Sequence, residues 1–445
     1  MKHILFLTFL LPSILLGQHT IKGVFSPPGD YDVALLYKAT PTVSKYISNA
    51  EIKEDGSFAF KLDSTATNGI YRLVYAIPQE DYNFDIIYNG KEDIEVNFNS
   101  ETGVNFVKSV ENKLVASYTN SMSKVTQSIA NYFSQKSKDT MALKAIFKTQ
   151  REAQLNFEKA AKGTIALEFI KANKPFIPNK ALNVETYIKQ LEYHYFDHVD
   201  FTNKTLQSSS FLQERMLNYV FGTTDQTKND AENYRTNIDV VWDKMKVAPP
   251  KVKRILLVDL WQQMADLGHD SVANYISDNY LMDIAIELND QDLVHTLILY
   301  KDTSIGSEAP DFDVKVKENG NLVAKKMSDL KLAKNYILVF WSSTCSHCMA
   351  EIPELFEFVK ALEPGQVKVI AIGLEDKADR SKWEKTILKL PNFIHVYGEG
   401  KWDNEIGDSY GVTATPTYFI LNKKKEIVDK PINLEALKDF FESVD

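Results

Sequence analysis

Two thiols carry the clearest chemistry in this chain. Cys345 and Cys348 are its only cysteines, in the run Phe340-Trp341-Ser342-Ser343-Thr344-Cys345-Ser346-His347-Cys348. A Cys-x-x-Cys that follows an apolar run and begins a helical pattern can open and close as a reversible disulfide. At a helix N-terminus, unpaired N–H groups and the macrodipole favour the thiolate of the first cysteine. That thiolate attacks a disulfide, and the second thiol, one turn deeper, resolves the mixed disulfide. His347 lies between them, where an imidazolium would stabilise the Cys345 thiolate further. With no other cysteine there is neither a structural disulfide nor a second metal-ligand pair, and no metal is expected. His194 and His198 would share a helix face, but Tyr195 stands where a zinc-protease motif needs Glu, so both are read as structural.

Elements on both sides must position these thiols. Residues 336–341 form a continuous apolar run that predicts a buried strand, and 348–362 an amphipathic helix. A second buried strand is expected at 367–374, a charged helix at 377–390, a short strand at 393–397 and a helix at 401–410. Residues 417–421 and 426–429 are placed to pair across Asn422-Lys423-Lys424-Lys425, whose basic triplet reads as a solvated turn. A closing helix at 434–444 completes a mixed α/β sheet over 305–445. Upstream, 106–304 is rich in Lys, Glu, Gln, Ala and Leu at helical spacing, punctuated by Pro175, Pro178 and Pro249-Pro250, and reads as all-α. Residues 18–105 carry short alternating runs such as Ser57-Phe58-Ala59-Phe60-Lys61-Leu62 between turn signals, a pattern of a small sandwich or barrel. The expected fold class is therefore multidomain α+β: a β-rich domain, a helical domain and a C-terminal α/β domain.

The first residues read as a targeting segment. Lys2 and His3 precede an apolar stretch of about 13 residues at 4–16, too short to span a bilayer comfortably. Leu15-Leu16-Gly17-Gln18 has the look of a cleavage region, and Gln18 stands where a lipoprotein signal needs Cys. The expectation is a signal peptide at 1–17 and an exported protein of the periplasm or cell envelope, soluble once the segment is removed. A formal net charge of −9 argues against nucleic acid as a partner.

Residues 305–445 resemble the thioredoxin fold and, within it, the TlpA/ResA-like thiol–disulfide oxidoreductases. The resemblance rests on Gly306-Ser307-Glu308-Ala309-Pro310-Asp311-Phe312, on Val339-Phe340-Trp341 before the dithiol, and on Glu351-Ile352-Pro353-Glu354-Leu355 after it. Tyr410-Gly411-Val412 and Thr415-Pro416-Thr417-Tyr418-Phe419-Ile420 complete it. It implies that Pro416 is a cis-proline facing the dithiol and that Thr415 presents backbone groups to an extended substrate. It implies that Glu351 accepts the proton of Cys348, while Trp341 is expected to help shape the substrate-facing surface. No cofactor beyond the cysteine pair is implied; the partners would be protein thiols or disulfides and an envelope redox partner that resets the dithiol. The β-rich and helical segments look like the domains of unknown function that precede such domains in some exported proteins. Four positions depart from the pattern: Thr344 stands where many relatives have Trp, Val339 where cytosolic thioredoxins carry a buried Asp, and Ser346-His347 where they carry Gly-Pro. The expected function is disulfide exchange, as a reductase. The His347 position leaves an oxidant or isomerase open, and the bulk of residues 18–304 leaves open an envelope binding or scaffold protein with a secondary thioredoxin domain.

Overall fold

Large apolar residues at every second position fold the first hundred residues into sheet. The computed structural model describes residues 19–443 apart from Glu80 and Asn319. The expected signal peptide at 1–17 lies outside the described residues. The chain divides into two compact units, Met1–Leu257 and Val258–Asp445.

In the first unit the strands are β1 (His19–Ser26), β2 (Val33–Ala39), β3 (Ser44–Glu51), β4 (Ser57–Leu62), β5 (Gly69–Val74), β6 (Asn83–Tyr88), β7 (Ile94–Asn99) and β8 (Gly103–Lys108). They form one sheet in the order β4-β1-β7-β8 and another in the order β3-β2-β5-β6. One core joins inward residues of both, among them Ile21, Phe25 and Val96 from the first and Leu36, Leu73 and Ile86 from the second. Two sheets over one core make a sandwich, where the alternation left sandwich and barrel both open. The strands β1 and β7 approach so closely that a Cβ on Gly23 would lie 1.6 Å from the Val96 carbonyl oxygen. Strand β6 is a sheet edge, and buried Asn112 closes it by bonding both the amide and the carbonyl of Ile87 at 2.8 and 2.7 Å. Asn112 sits on α1 (Val110–Ser134), which begins at the N-cap Ser109 directly after β8.

The helices α2 (Thr140–Ala160), α3 (Ala166–Ala172), α4 (Val184–Tyr193), α5 (Lys204–Gln207), α6 (Phe211–Gly222) and α7 (Asp230–Met245) follow. Helix α4 ends before His194, which is its C-cap, so His194 and His198 do not share a helix face. His194 bonds Asp197 at 2.5 Å and stacks on Phe176 at 4.6 Å. Helix α8 (Pro250–Asp266) runs across the boundary between the units.

The second unit opens with helical residues. Helix α9 (Asp270–Ile276), a π turn (Ser277–Leu281), α10 (Met282–Glu287) and α11 (Gln291–Asp302) precede the hairpin β9 (Asp313–Glu318) and β10 (Asn321–Lys326). The main sheet then forms from β11 (Asn335–Trp341), β12 (Val367–Glu375), β13 (Ile394–Glu399), β14 (Thr417–Leu421) and β15 (Ile427–Asp429) in the order β13-β12-β11-β14-β15. Strands β11, β12 and β13 are parallel, and β14 and β15 antiparallel. Helices α12 (Ser346–Ala361), α13 (Arg380–Ile387), α14 (Glu405–Ser409) and α15 (Leu434–Ser443) connect or close it.

Period-2 alternation splits β11 between two cores: Tyr336, Leu338 and Phe340 face one side, Ile337, Val339 and Trp341 the other. The second side receives Cys348, Ile352 and Leu355 of α12 and Leu434, Leu437 and Phe441 of α15. The span expected as one helix at 401–410 is a 3-10 turn, Lys401–Asp403, followed by α14, because Asn404 breaks the run by capping α14. The expected solvated basic turn is corrected at one position: Lys425 is buried, at a positive φ of 71°. Its Nζ donates to the Leu330 carbonyl at 2.8 Å and lies 4.1 Å above the Tyr336 ring, which replaces the water it gives up.

Candidate functional site

The buried strand β11 delivers the chain to the C-terminal edge of the parallel sheet. The turn that follows is closed by the Cys345 amide donating to the Ser342 carbonyl at 3.1 Å. Cys345 is then the N-cap of α12, in extended conformation, with its side chain turned back over the first helical turn. Its Sγ accepts from the Cys348 amide at 3.2 Å and lies 3.3 Å from the Thr415 carbonyl oxygen. Both cysteines are free thiols, Cys345 half-buried and Cys348 fully buried at 0% exposure.

The two sulfurs differ in acidity. Burial pushes the Cys345 thiol up, but hydrogen bonds from Cys348, from the Thr415 side chain and from the His347 amide outweigh it, and the net shift is downward. Cys348 is pushed up to about 12, first by burial and then by its hydrogen bond to Cys345. The environment thus favours the thiolate at one sulfur and holds the proton on the other. The anion sits where the helix amides point.

The other expected residues have mixed places. The Thr415–Pro416 bond is cis, and Thr415 faces Cys345 through its carbonyl. Glu351 is half-buried on α12 and accepts a 2.8 Å hydrogen bond from the Tyr418 hydroxyl. His347 is exposed, and its backbone amide is among the donors that lower the Cys345 thiol. Trp341 is not at the substrate-facing surface: it is 0% exposed, because the alternation of β11 turns it inward beside Val339 and Cys348. Thr344 is exposed beside the nucleophile.

Two residues escaped the sequence reading. Tyr418 is buried in the same core as Cys348, and β14 pairs it with Val339 of β11. Burial first, then the Glu351 hydrogen bond and charge, and then Cys348 push its phenol upward, so it stays protonated as the donor to Glu351. The signal was present in the alternation of β14, which sets Tyr418 and Ile420 on the α12 side. The second is Glu375 at the end of β12, whose carboxylate receives the Ser343 amide and the Ser342 hydroxyl. Its sequence context, a charge following an apolar strand, carries no signal of this role. Among the described residues no group of three or more His, Cys, Asp or Glu converges as a metal site, and no helix is long and apolar enough to cross a membrane.

Comparison with known proteins places this geometry among others. A family described as thioredoxin-like matches residues 333–427. The thiol-disulfide oxidoreductase ResA of Bacillus subtilis (strain 168) is 28% identical over 130 residues, covering 28% of this chain and 65% of that protein. ResA of Bacillus thuringiensis (strain Al Hakam) is 30% identical over 134 residues, covering 29% of this chain and 69% of the relative. A solved domain of a possible thiol-disulfide isomerase from Cytophaga hutchinsonii is 30% identical, with a TM-score of 0.26, covering 32% of this chain and 92% of that one. The matching part of the chain thus spans about two thirds of the length of these curated relatives.

Proposed function

Through its C-terminal region the chain belongs to the ResA-like thiol–disulfide oxidoreductases, and from that premise we propose that it reduces disulfides of protein substrates outside the cytoplasm. The observation that carries the reading is the asymmetry of the dithiol. Cys345 is half-buried and acidified at the N-cap of α12, and Cys348 is buried and holds its proton.

In the forward direction the Cys345 thiolate attacks one sulfur of a substrate disulfide. A new S–S bond forms, the substrate S–S bond breaks, and the departing substrate thiolate takes up a proton. Cys348 then loses its proton and attacks Cys345. The Cys345–substrate bond breaks, the second substrate thiol leaves, and the protein is left with an intramolecular disulfide that a reducing partner must open. The cis Thr415–Pro416 segment lies across from Cys345, suited to receive an extended substrate backbone. The Tyr418–Glu351 pair stands beside the resolving thiol as the group to take its proton. The apolar run at 4–16 supports action beyond the cytoplasmic membrane.

Trapping tests the reading. Cys348→Ser should accumulate covalent adducts between Cys345 and substrate proteins, released by a strong reductant, whereas Cys345→Ser should accumulate none. Near-zero disulfide exchange in wild type, equal to that of Cys345→Ser, would sink it. Direction is read by equilibration with glutathione. A potential near about −270 mV supports the reductase, and one near about −120 mV makes the protein an oxidant.

A further inference from the structure

Glu375 is a carboxylate at 0% exposure, on the strand next to the one that leads to the dithiol. Burying such a group is unfavourable unless donors surround it. Its donors all belong to one place. Oε1 accepts the Ser343 amide, and Oε2 accepts the Ser342 hydroxyl at 3.2 Å. Ser342 has a single hydroxyl hydrogen. With it directed at Glu375, Thr344 becomes the donor in the 2.9 Å contact between the two hydroxyls, and the Thr344 amide adds a further bond to Ser342 Oγ at 3.2 Å. Ser342 and Ser343 are themselves buried. The turn from β11 to the nucleophile is therefore held from beneath by one side chain. The same residue's carbonyl accepts the Gly400 amide at 3.1 Å, which fixes Glu375 between β12 and the loop after β13.

We propose that Glu375 is a positioning residue for the thiol chemistry: by gripping Ser342 and Ser343 it sets the point at which Cys345 enters helix α12, and so keeps its sulfur against the Cys348 amide and Thr415. An apolar side chain would fill the same space without the desolvation, so the requirement is for an acceptor of the turn's donors. Negative charge is not what the thiolate gains, since an anion nearby opposes a second anion. Burial pushes the Glu375 pKa up, against the bonds from Ser343 and Ser342, and Asp379 adds to the rise. A carboxyl that tends toward neutrality still accepts from the Ser343 amide, so the grip does not require full ionisation.

The proposal rests on the dithiol reading above, and its test separates the two. The reduced full-length protein is labelled at Cys345 with iodoacetamide across a pH series, a readout that does not require turnover. Glu375→Ala should move the labelling midpoint upward by about one pH unit, making labelling at pH 7 about tenfold slower. Glu375→Gln keeps an acceptor for the Ser343 amide and should label within about threefold of wild type at that pH. A wild-type midpoint in Glu375→Ala overturns the proposal, as does a Gln variant displaced as far as the Ala variant. If circular dichroism shows that Glu375→Ala does not fold, Ser342→Ala carries the test: an upward shift supports the grip and an unmoved midpoint refutes it. A wild-type protein that labels as expected yet exchanges no disulfide counts against the enzyme reading alone.

Discussion

A thiolate at Cys345 is stabilised by donors that already exist in the helix start, whereas at Cys348 burial and the bond to Cys345 outweigh the bonds from Ser342 and Thr415. Alkylation of the reduced protein should therefore modify Cys345 alone at neutral pH. Its rate should rise with pH through a midpoint below the ordinary thiol value of about 8.5, because the folded environment lowers its pKa. Peptide mapping after brief labelling reads this directly, and equal labelling of both cysteines would contradict it. Tyr418 gives a second prediction. Tyr418→Phe removes the hydroxyl that holds Glu351 and leaves the ring in the core. Loss of one hydrogen bond to a carboxylate, about 1.5–3 kcal/mol, should slow resolution of the mixed disulfide by roughly ten- to a hundredfold, with the first attack unchanged. Rapid-quench kinetics separate the two steps, and equal slowing of both would assign Tyr418 to packing only.

Helices α9 and α11 are tied to the sheet by one carboxylate. Asp270 is buried, and it accepts from the Tyr300 hydroxyl at 2.7 Å, the Ile305 amide at 2.9 Å and Lys430 Nζ at 3.1 Å. Burial pushes its pKa up, but the Ile305 amide, Tyr300 and Lys430 outweigh it and the net shift is down. A depressed folded pKa contributes stability above the unfolded value of about 3.9 that is lost as pH falls through the folded one. Wild type should therefore lose more stability between about pH 5 and 2 than Asp270→Asn does, as read from denaturant midpoints. At the Tyr410–Val412 corner, Gly411 has φ +65°, and an added Cβ would lie 3.2 Å from Leu299 of α11. Gly411→Ala should cost about 1–2 kcal/mol, measured by the same denaturation. These ties were not legible in the sequence, because they join residues far apart through side-chain direction. The dithiol and the strand it follows were legible from local spacing, and so was the Thr415–Pro416 segment from family resemblance. Trp341 was misplaced because its face depends on the register of β11 with its neighbours. Glu375 was missed because nothing in the sequence shows that a strand-ending charge turns back under a loop. The hairpin β9–β10 was missed because only β9 alternates, with Val314 and Val316 inside, while β10 carries Leu322-Val323-Ala324 as one exposed run.

At the scale of the whole chain, the redox unit begins earlier than the change in sequence character at residue 305. Residues 258–304 group with it, through the bonds that Asp270 accepts from the Ile305 amide and from Lys430. A fragment of 258–445 should fold and exchange disulfides. A fragment of 305–445 should melt roughly 5–10 °C lower, since losing a few kcal/mol shifts a domain of this size by that much. Equal melting temperatures would show that the helices are passengers. The burial of Cys348 has one more consequence, for survival under oxidants. Peroxide attacks exposed thiolates and converts them in steps to sulfenic, sulfinic and sulfonic acids, the later ones irreversible. Only Cys345 meets those conditions, and a sulfenic acid there lies within one helical turn of Cys348, which can condense with it to the disulfide. Peroxide should thus leave wild type as the reducible disulfide and drive Cys348→Ser on to the sulfinic acid, a difference visible in intact mass. The sulfur that solvent cannot reach acts as the safeguard of the one that it can.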